Sequence, residues 1–133
     1  MGVSSEASGD SAVAIGGLAT ASGKSSIALG TKTKAEKNYA IAIGLEAEAK
    51  ASGSIAIGSR NSDRTEEDPN RRVIAEAENA IAIGTHTYAK MDDTVAIGAN
   101  AQALVKDGVA VGGHLSLVLK RVFLVTILQQ MLR

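Results

Sequence analysis

Histidine, serine, arginine and the carboxylates are the residue types here that could carry chemistry, and their placement argues against most of it. The two histidines, His86 and His114, lie far apart, and neither stands at metal-ligand spacing from a second ligand. With no cysteine there is neither a disulfide framework nor a thiolate site. Serines are plentiful, but no G-x-S-x-G elbow sets one between a strand and a helix. The glycines recur periodically, and none opens a helix as a phosphate cradle does. Calcium-binding rolls need aspartates in a nonapeptide rhythm, which is absent. No catalytic residue, metal or cofactor is expected, and the chain reads as non-enzymatic.

One stretch concentrates charge. Residues 60–72, "RNSDRTEEDPNRR", hold four Arg against four acidic residues and the only proline, Pro69. This predicts a polar loop leaving the body of the protein, and loops on rigid scaffolds often bind. Its candidate ligand contacts are Arg60, Asp63, Arg64, Glu66, Glu67, Asp68, Arg71 and Arg72. A solvated excursion or an ion-pair clasp between subunits is the plainer reading of the same residues.

The scaffold is a repeat. Gly16, Gly30, Gly44, Gly58, Gly84, Gly98 and Gly112 are spaced by 14, except for one step of 26, so a 12-residue insertion interrupts the array. Alanine always stands two places before the glycine: Ala14, Ala28, Ala42, Ala56, Ala82, Ala96 and Ala110. On either side of it are Val, Ile or Leu: Val13 and Ile15, Ile27 and Leu29, Ile41 and Ile43, Ile55 and Ile57, Ile81 and Ile83, Val95 and Ile97, Val109 and Val111. A second alanine column runs nine places before the glycine: Ala7, Ala21, Ala35, Ala49, Ala75, Ala89 and Ala103. Both segments alternate with period two, the mark of a strand. Two short strands and two tight turns make one coil. Seven stacked coils give a parallel β-roll, about 34 Å long at the usual strand spacing.

In each IAIG-type strand the Val, Ile and Leu pair shares one face and is expected to fill the roll against the second alanine column. The alanines between them then face outward with Ala12, Ser26, Ala40, Ser54, Ala80, Thr94 and Gly108, as a smooth strip that another subunit could approach. A roll this thin, with 2% aromatic residues and no tryptophan, looks short of core as a monomer. An obligate homo-oligomer is expected, with Ala14, Ala28, Ala42, Ala56, Ala82, Ala96 and Ala110 at its interface.

The stretches "SAVAIG", "SSIALG", "GSIAIG" and "DTVAIG", in a 14-residue period over residues 5–112, resemble the heads of trimeric autotransporter adhesins, the YadA-like heads. The resemblance implies an all-β fold, a left-handed parallel β-roll that forms a homotrimer. It also implies a stalk and a C-terminal barrel in the Gram-negative outer membrane. The implied role is adhesion at the cell surface, to collagen, other extracellular matrix proteins or host cells, with autoaggregation. A structural trimeric fibre segment, of phage or cell surface, needs the same physics and is the alternative. An acyltransferase of the hexapeptide type does not fit a period of 14, and an ice binder would show outward Thr ladders.

The roll is assigned to residues 1–112. Residues 113–133, "GHLSLVLKRVFLVTILQQMLR", do not match the neck of such heads. Leu115, Val118, Val122, Val125, Gln129 and Leu132 follow helical spacing, which predicts a short capping or trimerising helix, although the Val and Leu content also permits strands. Lys120 and Arg121 argue against a bilayer span, so a membrane is met only through an anchor that this sequence lacks. Zero net charge, with 14 basic and 14 acidic residues, argues against nucleic acid.

Overall fold

The computed structural model describes residues 2–60 and 72–113, the backbone of the strand at 116–117, and Met131. Its strands alternate between two parallel sheets. The odd sheet holds β1 (Glu6–Ala7), β3 (Thr20–Ala21), β5 (Lys34–Ala35), β7 (Glu48–Ala49), β9 (Ile74–Ala75), β11 (Tyr88–Ala89), β13 (Gln102–Ala103) and β15 (Ser116–Leu117). The even sheet holds β2 (Val13–Ile15), β4 (Ile27–Leu29), β6 (Ile41–Ile43), β8 (Ile55–Ile57), β10 (Ile81–Ile83), β12 (Val95–Ile97) and β14 (Val109–Val111). Each strand pairs with its equivalent one coil away, so identical positions form ladders: Ala28 opposite Ala42, and Ala42 opposite Ala56. This is a parallel β-solenoid of 14-residue coils, as the period predicts.

The corners explain the coil length. Residues at positive φ recur every seventh position, from Ser4, Ser11, Leu18 and Ser25 to Asn100 and Asp107. Most sit in a four-residue turn closed by a backbone hydrogen bond, such as Ser26 N–H to the Gly23 carbonyl at 3.1 Å, and at Lys32 and Asp93 the hydroxyl of the next residue, Thr33 or Thr94, closes it instead. A turn of this kind reverses the chain in the least possible length, and two of them bring the sheets close together.

That closeness decides what lies inside. The alanine between the two larger apolar residues is buried in every coil: Ala28, Ala42, Ala56, Ala82, Ala96 and Ala110 are fully enclosed, and Ala14 nearly so. Facing them are Ala21, Ala35, Ala49, Ala75, Ala89 and Ala103, also fully enclosed, as expected for the second column. Ala19, Ala47 and Ala101, the hydroxyl-bearing Thr33 and Thr87, and Val73 are buried as well, together with Ser26, Ala40, Ser54, Ala80 and Thr94, which the size-based expectation places outward. Thr33 Oγ1 and Thr87 Oγ1 donate to the carbonyls of Gly30 and Gly98 at 2.9 and 3.0 Å, so their burial leaves no donor unmet.

The faces are therefore reversed from the expectation based on size. Val13, Ile15, Ile97, Val109 and Val111 are exposed, at 38–58%. Ile27, Leu29, Ile41, Ile43, Ile55, Ile57, Ile81, Ile83 and Val95 are half-buried. These fourteen are not the roll core, and the seven alanines are not an outward strip. The reason is steric. Sheets that pack through Val or Ile stand about 10 Å apart, and turns this short hold them closer, leaving room for methyl-sized groups. The alanine strip does admit a close neighbour, but that neighbour is the opposite wall of the same roll.

The tail also differs at its start. The roll continues past residue 112, because β15 pairs with β13, with Ser116 opposite Gln102 and Leu117 opposite Ala103. Two residues of the proposed helical segment are thus strand. The expectation for most of 118–133 lies outside the described residues.

Two substitutions test this packing. Gly44 has φ 117°, and a Cβ there would stand 1.8 Å from the Gly58 carbonyl oxygen of the next coil. Gly44→Ala is expected to cost about 2 kcal/mol or more, read as a lowered midpoint in thermal or denaturant unfolding. Ala42→Val forces volume into the enclosed column and is expected to cost about 1–3 kcal/mol. An Ala42→Val protein as stable as the parent would refute the inward orientation.

Candidate functional site: an apolar face and a charged cleft

With alanine inside, the even sheet presents its larger side chains to the outside. Two parallel ladders run along it, one from Val13 through Ile27, Ile41, Ile55, Ile81 and Val95 to Val109, the other from Ile15 to Val111. No charged or polar residue interrupts either ladder. A continuous apolar stripe of this length is uncommon on a monomer's surface.

The odd sheet is different. Its outward ladder reads Glu6, Thr20, Lys34, Glu48, Ile74, Tyr88 and Gln102. The roots of the insertion lie beside this sheet. Strand β7 pairs directly with β9, Glu48 opposite Ile74, so the ladder closes across the insertion without losing register. Of the candidate loop residues, only Arg60 and Arg72 are described; Asp63, Arg64, Glu66, Glu67, Asp68 and Arg71 lie outside the described residues.

Those two arginines, at the roots of the insertion, share a pair of carboxylates. Arg60 Nη1 is 3.2 Å from Glu46 Oε2. Arg72 bridges both acids, with Nη1 2.7 Å from Glu48 Oε1 and Nε 3.6 Å from Glu46 Oε2. Lys32 adds to Glu46 at 3.7 Å, and Lys34 and Lys50 add to Glu48 at 3.7 and 3.4 Å. Five cations thus surround two carboxylates. Glu48 is 6% exposed, so its charge is held by neighbours more than by water. Exposed pairs are worth under about 1 kcal/mol each, but the shared acids make a network that ties both ends of the insertion to one spot. An ion-pair network of this kind is present within one chain, between the roots of the insertion and the coil before it, whereas the clasp expected from sequence is between subunits. Sequence reading missed Glu46 and Glu48 as partners, although their place one coil before Arg60 was a usable signal.

Beside this network a cleft of about 510 Å³ crosses the odd sheet, with Glu48, Ile74, Tyr88 and Gln102 as its floor. His86 sits at its rim, its Nδ1 2.7 Å from Asn100 Oδ1. With an amide oxygen as partner, Nδ1 carries the proton. No group of three potential ligands is placed to hold a metal among the described residues. Tyr88 donates its hydroxyl to Glu76. Burial, this hydrogen bond and the Glu76 charge push the phenol up to about 12.

A phenol whose pKa is raised on folding stabilises the fold below its ordinary value of 10.0 and loses that contribution as pH climbs toward about 12. Absorbance titration is expected to show one phenol ionising near the top of that range, and resistance to denaturant is expected to fall across it. Glu76→Gln should bring the ionisation to lower pH. An unchanged titration in that variant would remove Glu76 from the account.

A family model described as "YadA head domain repeat (2 copies)" matches residues 1–19, 7–33, 21–47, 35–61, 74–88 and 89–114. The matches leave out the insertion and resume at β9. No curated protein matches the chain. The matched segments cover most of the chain and coincide with its stacked coils, so it belongs to the family of the YadA head domain repeat.

Proposed function

We propose that the protein is the head of a surface adhesin that works as a homotrimer and does no catalysis. The observation that carries this is the double apolar ladder on the even sheet. Each roll has an outer face that water penalises over its whole length, at roughly 25 cal/mol per Å² of apolar area. Copies packed on a common axis bury it in every coil. The interface belongs to the Val, Ile and Leu ladders, in place of the alanines first expected there. Family membership supports the same reading, since YadA-type heads are trimeric adhesins of Gram-negative cell surfaces.

The assembly leaves the odd sheet and both corners facing outward. Contact with host extracellular matrix, collagen included, or with host cells is assigned to these surfaces. The roots of the insertion lie among them.

Ile43→Glu places a charge in the middle of the apolar face while leaving the alanine interior alone. Sedimentation equilibrium is expected to give a trimer for the parent and a monomer for Ile43→Glu, with strand content by circular dichroism retained. A monomeric parent at micromolar concentration would refute the assembly. Solid-phase binding of the parent to a panel of matrix proteins tests adhesion separately, and binding no greater than to albumin would count against it.

A further inference from the structure

We propose that the cleft on the odd sheet binds an anionic saccharide, a sugar bearing carboxylate or sulfate. The proposal deepens the adhesive reading and rests on it for the cleft's outward position. Lys50, Arg72 and Lys90 line the cleft together with His86, against a single lining carboxylate, Glu48. That carboxylate is shared among Lys34, Lys50 and Arg72, so it cannot neutralise them. Lys90 is exposed and has no ion pair among the described residues. The chain as a whole is neutral, so this positive excess is a matter of placement. Acidic groups stand close by as well: Glu76, on the rung between Lys50 and Lys90, accepts the Tyr88 hydroxyl, and Asp92 and Asp93, in the turn after Lys90, accept from the Glu78 backbone and the Asn79 amide at 3.3 and 3.1 Å. A cleft whose lining carries more cations than carboxylates attracts an anion.

The remaining lining selects a sugar over an acidic peptide. Tyr88 stands on the rung between Ile74 and Gln102 in the cleft floor, and with Ile74 and Leu104 in the lining it offers an aromatic and apolar platform suited to the C–H face of a pyranose. Glu48 and the Gln102 amide oxygen can accept hydrogen bonds. A peptide whose side chains are carboxylates can donate only through its backbone N–H groups, while each sugar ring brings several hydroxyl donors. The rungs on either side are already paired, so no strand edge is open here for a peptide to join. A cavity of about 510 Å³ lies within the range of small-molecule sites.

The test uses the full chain and three immobilised probes of matched length: heparin for sulfate, hyaluronan for carboxylate alone, and polyglutamate for an acidic peptide. Binding to either glycan above polyglutamate, weakening as salt rises, supports the proposal; which glycan wins names the anion. Lys90→Glu and Gln102→Ala are expected to weaken it about tenfold or more, and Lys106→Glu, outside the cleft, to leave it within twofold. Circular dichroism and sedimentation on each variant check that fold and assembly persist. Equal or stronger binding to polyglutamate, no binding to either glycan, or equal losses for Lys90→Glu and Lys106→Glu would overturn the site. Matrix-protein binding that survives such a result would leave the adhesive reading standing without this ligand.

Discussion

The distance between the two sheets governs this molecule. Tight turns set it, and the space between the walls is filled mostly with alanine, with nothing larger than Val73 and a few threonines and serines among the fully buried residues. Once that width is imposed, alanine inside is a steric requirement. The Val, Ile and Leu side chains of the same strands are displaced to the outside, because period two offers them no other face. The apolar stripe is thus a consequence of thinness. Narrow walls and exposed ladders form one chain of causes.

Much of the fold was legible in the sequence because the repeat is strict. Glycines 14 apart and two unbroken alanine columns specified stacked coils, parallel ladders and the position of the insertion. Parity was not legible. Ala42 between Ile41 and Ile43 reads equally well with either set inward, and ranking by hydrophobicity chose the larger pair. The deciding quantity, the wall separation, is fixed by the turns. Their sequence signal is weak, since residues as unlike as Leu18, Lys32, Tyr39 and His86 occupy the same positive-φ position. The functional surfaces were less legible still. The residues flanking the insertion stood out by composition, but the carboxylates that hold Arg60 and Arg72 come from the coil beneath, and the cleft draws on several coils at once.

The two sheets divide the work by their ladders. On the even sheet every coil repeats the same apolar choice, which suits contact with identical copies. On the odd sheet the outward position changes from Lys34 to Glu48, Ile74, Tyr88 and Gln102, so each coil offers different chemistry. A scaffold with rigid ladders can vary one face freely while the other stays uniform.

The bridging of β7 to β9 bears on how such a chain can change over generations. Partners in neighbouring odd strands are ordinarily 14 residues apart, and here the separation is 26, as between Glu48 and Ile74. Nearly doubling a loop adds only about 0.6 kcal/mol of closure entropy. The corner between an even and an odd strand is therefore a cheap place for inheritance to experiment: outgrowths can lengthen, shorten or be exchanged there while the stack beneath is copied unaltered.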